Sequence, residues 1–219
     1  MESASPKNEP SERPWEAQSW LRAETLAALA ELNEQCLDLL TAQARPGAAG
    51  PVAPLLREIG PLLRSLDSDA RYRAAACPYL LVDAGFGDQQ RWVWVSGYHV
   101  RDLDRRANSA FFSIPGVTAV TRQVLTYAWH LTRSQNAAAR MLFGMSAHCA
   151  RLVAACTLRQ VLELAELHPE WLQPRWPGRA RMWRELLLSA ISGDDRALER
   201  ARMRGLQLLA AEARAYLPP

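Results

Sequence analysis

Residues that begin or end helices recur so often between Pro115 and Gly193 that no long uninterrupted helix fits there. Pro115, two residues after Ser113, suits a first helical turn, and a helix is expected to run to Arg133 with Val120, Val124, Tyr127 and Leu131 on one face. Ser134 is placed to cap the next helix. Gly144 can close that one in a left-handed conformation, Ser146 can cap a third, and Thr157 with Gln160 forms the capping box of a fourth. Pro169, Pro174 and Pro177 break the chain again. Pro177 can begin a helix through Ile191, Gly193 ends it, and Asp194 or Asp195 caps a last helix through Tyr216 to Pro218. Short, separately capped helices are marginal alone and must pack on one another. The expected fold is all-α, a multi-helix orthogonal bundle of short helix-turn-helix units.

The front of the chain has the same character. Trp20, Leu21, Leu26, Leu29, Leu32, Cys36, Leu39 and Leu40 recur at three- and four-residue steps, which predicts an amphipathic helix over residues 15–45 behind a disordered, proline-bearing leader at 1–14. Residues 46–54, with Pro46, Gly47, Gly50, Pro51 and Pro54, read as a linker, and 55–219 as the helical domain. Leu55–Leu66 is expected to be a helix kinked or split at Gly60-Pro61, and Asp67 or Asp69 to cap a further helix reaching about Val82. Arg91–Val100 is the one strand-like stretch, rich in Trp92, Val93, Trp94, Val95 and Val100, and can form a small β-hairpin turning at Ser96-Gly97. Gly85-x-Gly87 lacks the third glycine of a nucleotide loop and reads as a bend.

Composition narrows the function classes. A chain of 219 residues that is 49% apolar has enough material for one sizeable core, which excludes a disordered, collagenous or disulfide-stapled protein. Net charge is +3, but residues 1–70 carry −5 and the remainder +8, so the body tolerates a polyanionic partner without requiring one. Cys36, Cys77, Cys149 and Cys156 form no C-x-x-C pair and are read as reduced, buried thiols. With no signal-peptide pattern and no membrane-length apolar run, a cytoplasmic location is expected. No nucleophile elbow, phosphate loop or zinc-protease motif is present, so neither an enzyme nor a cofactor is expected. His130 and His168 read as core or capping histidines, and an enzymatic alternative would need a pocket around His99 and Asp102.

The segment 174–184 interleaves Arg175, Arg179, Arg181 and Arg184 with Trp176 and Trp183. Arginines in a first helical turn oppose the helix dipole, which suggests an anionic partner, and guanidinium forks suit phosphate. These four arginines are the candidate DNA or anion contacts. The competing reading makes both tryptophans core anchors with arginines stacked over them. Tyr127, Leu131, Met141, Leu152, Trp176 and Trp183 are the candidate partner-binding residues.

The run Tyr127-Ala-Trp-His-Leu-Thr-Arg133, then Ala139-Arg-Met-Leu-Phe-Gly144-Met-Ser146, then Ala150-x-Leu152-x-Ala154, then Thr157-Leu158-x-Gln160 and Leu164-Ala165-Glu166, resembles the D-subunit family of the bacterial flagellar master transcriptional activator. Arg175-Trp176 stands where that family has an arginine among aromatics. The resemblance covers residues 127–176, within a regulator-like segment at 115–176. It implies a helical transcription regulator that dimerises and binds promoter DNA only together with a zinc-bearing C-type subunit. Residues 1–110 have no counterpart in that short family, so no flagellar role is implied. The rival reading is a protein-protein adaptor or structural module of a bacterial assembly.

Overall fold

The computed structural model describes residues 22–47, 53–97 and 110–215. Outside them lie the leader, most of the linker, the end of the expected hairpin, and the His99–Asp102 pair.

Ten helices occupy the described residues: α1 (Ala23–Gln43), α2 (Pro54–Arg64), α3 (Ser68–Ala75), α4 (Gln89–Gly97), α5 (Val117–Ser134), α6 (Asn136–Phe143), α7 (Ala147–Ala155), α8 (Leu158–Leu167), α9 (Ala180–Ser192) and α10 (Asp195–Ala215). Two short strands, β1 (Val82–Asp83) and β2 (Gln173–Pro174), pair antiparallel. The protein is therefore all-α with one small ribbon. A 3-10 turn, Pro169–Trp171, precedes β2.

The punctuation operates largely as its chemistry requires. The Ser146 hydroxyl accepts from the Cys149 N–H at 3.0 Å, the Asp67 carboxylate from the Ala70 N–H at 2.7 Å, and the Asp194 carboxylate from the Ala197 N–H at 2.9 Å. Thr157 and Gln160 close a full capping box, and Gly144 and Gly193 end their helices at φ 67° and 73°. Other expectations fail. The helix after Asp67 ends at Ala75 rather than near Val82, and α5 and α9 begin at Val117 and Ala180 rather than at Pro115 and Pro177. Ser134 caps nothing; its hydroxyl donates to the His130 carbonyl of its own helix, and α6 starts without a side-chain cap. Pro61 does not split α2, because it lies on an exposed face where solvent can take the carbonyl its missing N–H leaves free. Gln89–Gly97 is helix rather than hairpin: Trp92 and Val95, three apart, are both buried, so burial at helical spacing overrides β propensity. The ribbon forms elsewhere, between segments 91 positions apart.

That interval is the organising fact of the molecule. Advancing Val82 and Asp83 by 91 positions gives Gln173 and Pro174, and Val82 pairs with Pro174 while Asp83 pairs with Gln173. Each strand residue thus faces the image of the other, as at a twofold axis. The same shift carries the end of α1 to the end of α5 and the start of α4 to the start of α9. It carries Gly87 to Gly178 and Trp92 to Trp183. Both tryptophans are fully buried, and both indole N–H groups donate to a backbone carbonyl upstream, Trp92 to Gly85 at 2.9 Å and Trp183 to Arg175 at 2.8 Å. Packing repeats as well. α1 lies on α2 and α3 as α5 lies on α7 and α8, and the helix after each strand crosses over, α9 onto α2 and α4 onto α7. The two halves thus repeat one arrangement of helices about a pseudo-twofold relation at the ribbon, and among the described residues α6 and α10 have no counterpart in the first half.

Candidate functional site

Two places concentrate unusual chemistry, the ribbon junction and the face where α1 meets α5. At the junction Arg175 is 5% exposed. Its Nε donates to the Leu80 carbonyl at 2.9 Å, and its Nη2 to the carbonyls of Phe143 at 2.9 Å and Val82 at 3.3 Å. Burying a guanidinium is costly unless its donors are satisfied, and these carbonyls satisfy it. Asn33, wholly buried in α1, donates to the Ala75 and Tyr79 carbonyls at 2.9 and 3.0 Å and accepts from the Leu81 N–H at 2.8 Å. One side chain from each unit therefore holds the irregular segment 75–82, whose backbone has few ladder partners of its own.

This placement corrects the sequence reading of the arginine-tryptophan segment. Arg175 is a structural clamp, since its guanidinium is directed inward at carbonyls where no phosphate can reach. Trp183 is wholly buried and Trp176 is 7% exposed, so both are core anchors, and Leu131 is sealed inside α5's packing face. A residue already covered by its own chain offers no surface to a partner. Tyr127, Met141 and Leu152 are half-buried and keep part of their surface outside. Arg179, Arg181 and Arg184 are exposed on the first turns of α9, with Arg181 paired to Glu185 at 3.0 Å. Stacked arginines do occur: Arg91 over Trp171 at 4.5 Å, Arg133 over Trp129 at 4.8 Å and, within the segment itself as the competing reading expected, Arg175 over Trp176 at 5.9 Å.

Trp176 adopts φ 54°, the left-handed region, at the place where the first unit has Gly85 at φ 77°. A bulky residue there costs on the order of 1–3 kcal/mol. The surroundings that hold it include Glu212 of α10, whose carboxylate accepts from the indole N–H at 2.6 Å. Beside it Tyr79 packs edge-on at 5.7 Å, wholly buried, with the Cys77 thiol next to its hydroxyl. Burial pushes the Tyr79 hydroxyl up, and the neighbouring Cys77 thiol up to about 11.

The second place is a groove of about 470 Å³ between α1 and α5, lined by Leu32, Gln35, Arg122, Thr126, Tyr127 and His130 among others. It lies on the pseudo-axis: Leu32 and Gln123, Gln35 and Thr126, Glu31 and Arg122 are images of one another, and all six line it. The Tyr127 hydroxyl donates to the Thr25 carbonyl at 3.0 Å, and Arg122 is paired with Glu166.

All four cysteines are free and buried. Burial raises every one of their pKa values, Cys156 to about 11, so they are packing thiols. His168 is buried at the end of α8 with Nδ1 2.8 Å from the Glu170 carboxylate, a satisfied capping position. Among the described residues there is no cluster suited to a metal ion and no helix long and apolar enough to cross a membrane.

Sequence reasoning missed Asn33, Tyr79 and the repeat. A lone asparagine inside the apolar stripe of α1, and the spacing Gly87-x4-Trp92 repeated as Gly178-x4-Trp183, were the available signals. No protein-family model, no curated protein and no solved structure matches this chain.

Proposed function

We propose that this chain is a non-enzymatic bacterial regulatory protein of the D-subunit type, with two D-like units fused in one polypeptide, acting on promoter DNA together with a partner subunit. The observation that carries the reading is the internal repeat. The resemblance spans residues 127–176 and implies a unit that dimerises; its image under the 91-residue shift is the segment 36–85, facing it across the ribbon. A chain that supplies both halves of such a dimer needs no second copy to build the interface. In this reading the second half lies within residues 36–85, whose likeness is one of element order rather than of sequence.

In this reading DNA contact falls to Arg179 and Arg184, which are exposed, with Arg181 weakened by its tie to Glu185. Phosphate contacts release counterions, so binding should weaken steeply with salt. Electrophoretic mobility shifts of the full chain with the subunit encoded beside it provide the test. A shift is expected only when both proteins are present. Arg179→Glu with Arg184→Glu should flatten the salt dependence by about two units, one per lost contact. Absence of any shift at low salt refutes DNA binding.

A second reading, a protein adaptor, is favoured by the groove between α1 and α5, because it is an unfilled apolar depression on the symmetry axis. It predicts partner capture that is insensitive to salt and nucleic acid and is lost in Tyr127→Glu.

A further inference from the structure

The groove between α1 and α5 is not equally covered at its two ends. His130 lines it, whereas the image of His130 under the 91-residue shift, Leu39, does not. The approach to α5 makes the difference. The Ser113 N–H donates to the Gln43 side-chain oxygen at 2.8 Å, and a β-carbon at Gly116 would sit 3.9 Å from Leu39 Cδ2. Phe112, next to Ser113, is buried, and Phe111 meets it edge-on at 5.0 Å. This segment lies over the end of α1, where Leu39 and Gln43 are both buried. Their images on α5, His130 and Ser134, are both exposed.

The same shift identifies what stands at the equivalent place ahead of α1. Phe111 and Phe112 are the images of Trp20 and Leu21, so an aromatic residue followed by a large apolar one precedes each of these helices. Trp20 and Leu21 lie outside the described residues, which start at Arg22, where ψ 144° turns the chain off the helical path. α1 begins three positions earlier in its unit than α5 does, and this added turn is tied to the groove wall: the Tyr127 hydroxyl donates to the Thr25 carbonyl at 3.0 Å. Trp20 stands five positions before Thr25, and five extended residues span at most about 17 Å. The groove is within that reach.

We propose that Trp20 and Leu21 cover the open, His130 end of this groove as residues 111–116 cover the other, and that the leader is thereby a tethered occupant which any partner at the groove must displace. Ala28, Leu32 and the Tyr127 ring offer the apolar wall that an indole and a leucine need. A short tether supplies an effective concentration in the millimolar range, so a contact with a Kd of about 100 µM is closed in about nine molecules of ten. Affinity for an outside partner falls by the fraction that is open. The inference concerns the groove of the adaptor reading but requires no outside partner. Failed partner capture therefore leaves it standing, and a leader that does not dock leaves capture standing.

The test uses the full chain and a labelled synthetic peptide of residues 11–22, followed by fluorescence anisotropy. Trp20→Ala with Leu21→Ala empties the groove and should bind the peptide about tenfold more tightly than wild type; adding Tyr127→Glu should abolish that binding. Equal binding by wild type and the double variant overturns the proposal, as does a double variant that binds no peptide at about 1 mM. Peptide binding that survives Tyr127→Glu overturns it too. Should the double variant lose its helical circular dichroism, cross-linking of an otherwise intact chain decides. Leu21→Cys with His130→Cys should form a disulfide on mild oxidation at least about tenfold faster than Leu21→Cys with Gln207→Cys, an exposed position on α10. Equal rates overturn the proposal.

Discussion

At the scale of single residues, chemistry is decided by which way a side chain faces. Arg175 illustrates the point, since an arginine between prolines and tryptophans looks like a phosphate ligand until its donors are found on Leu80, Val82 and Phe143. Arg175→Ala should strand those carbonyls and lower stability by about 3 kcal/mol or more, measured by urea denaturation. A smaller loss would mean that the clamp is dispensable. Gly144→Ala is expected to be destabilising by about 1–3 kcal/mol, because φ 67° is unfavourable for alanine and the added carbon would meet Leu209 and Arg175 Nη1. The thiols set a pH dependence. Their folded pKa values lie above the ordinary 9.0, so below pH 9 each thiol is neutral whether folded or unfolded. Above it the unfolded chain releases protons that the folded chain retains, so stability falls as pH rises through that range. Equilibrium denaturation from pH 7 to 10.5 should show that decline, reduced in Cys36→Ala relative to its own value at pH 7.

At the scale of elements, local chemistry was legible wherever a cap or a left-handed glycine marked an end. Ser146, Thr157, Gly144 and Gly193 act where they were read to act, because a cap is a bond between residues three apart and needs no tertiary partner. Ser146→Ala and Thr157→Ala should each cost about 1 kcal/mol, with the α7 and α8 amides losing exchange protection first. The expected hairpin at 91–100 failed for the complementary reason. β-branched and aromatic residues fit any half-buried surface, and at Gln89–Gly97 the surface available was the one α7 presents to a helix.

At the scale of the whole molecule, the crossing of α9 onto α2 and of α4 onto α7 makes the two units interdependent. Neither can unfold without uncovering the other. Ile59→Ala in α2 and Val153→Ala in α7, both wholly buried positions, should therefore each shift one common unfolding transition, seen identically by tryptophan fluorescence and far-UV circular dichroism. Two separated transitions in either variant would show independent units.

The helix ends marked by Ser146, Thr157, Gly144 and Gly193, an all-helical core and buried thiols were already determined by the sequence, because each depends on neighbours within a turn or two or on bulk apolar content. The tertiary structure alone decided that Arg175 and the tryptophans face inward, that residues 82 and 174 pair, and that the chain folds twice about one axis. Those outcomes depend on contacts between segments some ninety residues apart. Such contacts form only when both segments bury surface together, and no local pattern records that choice.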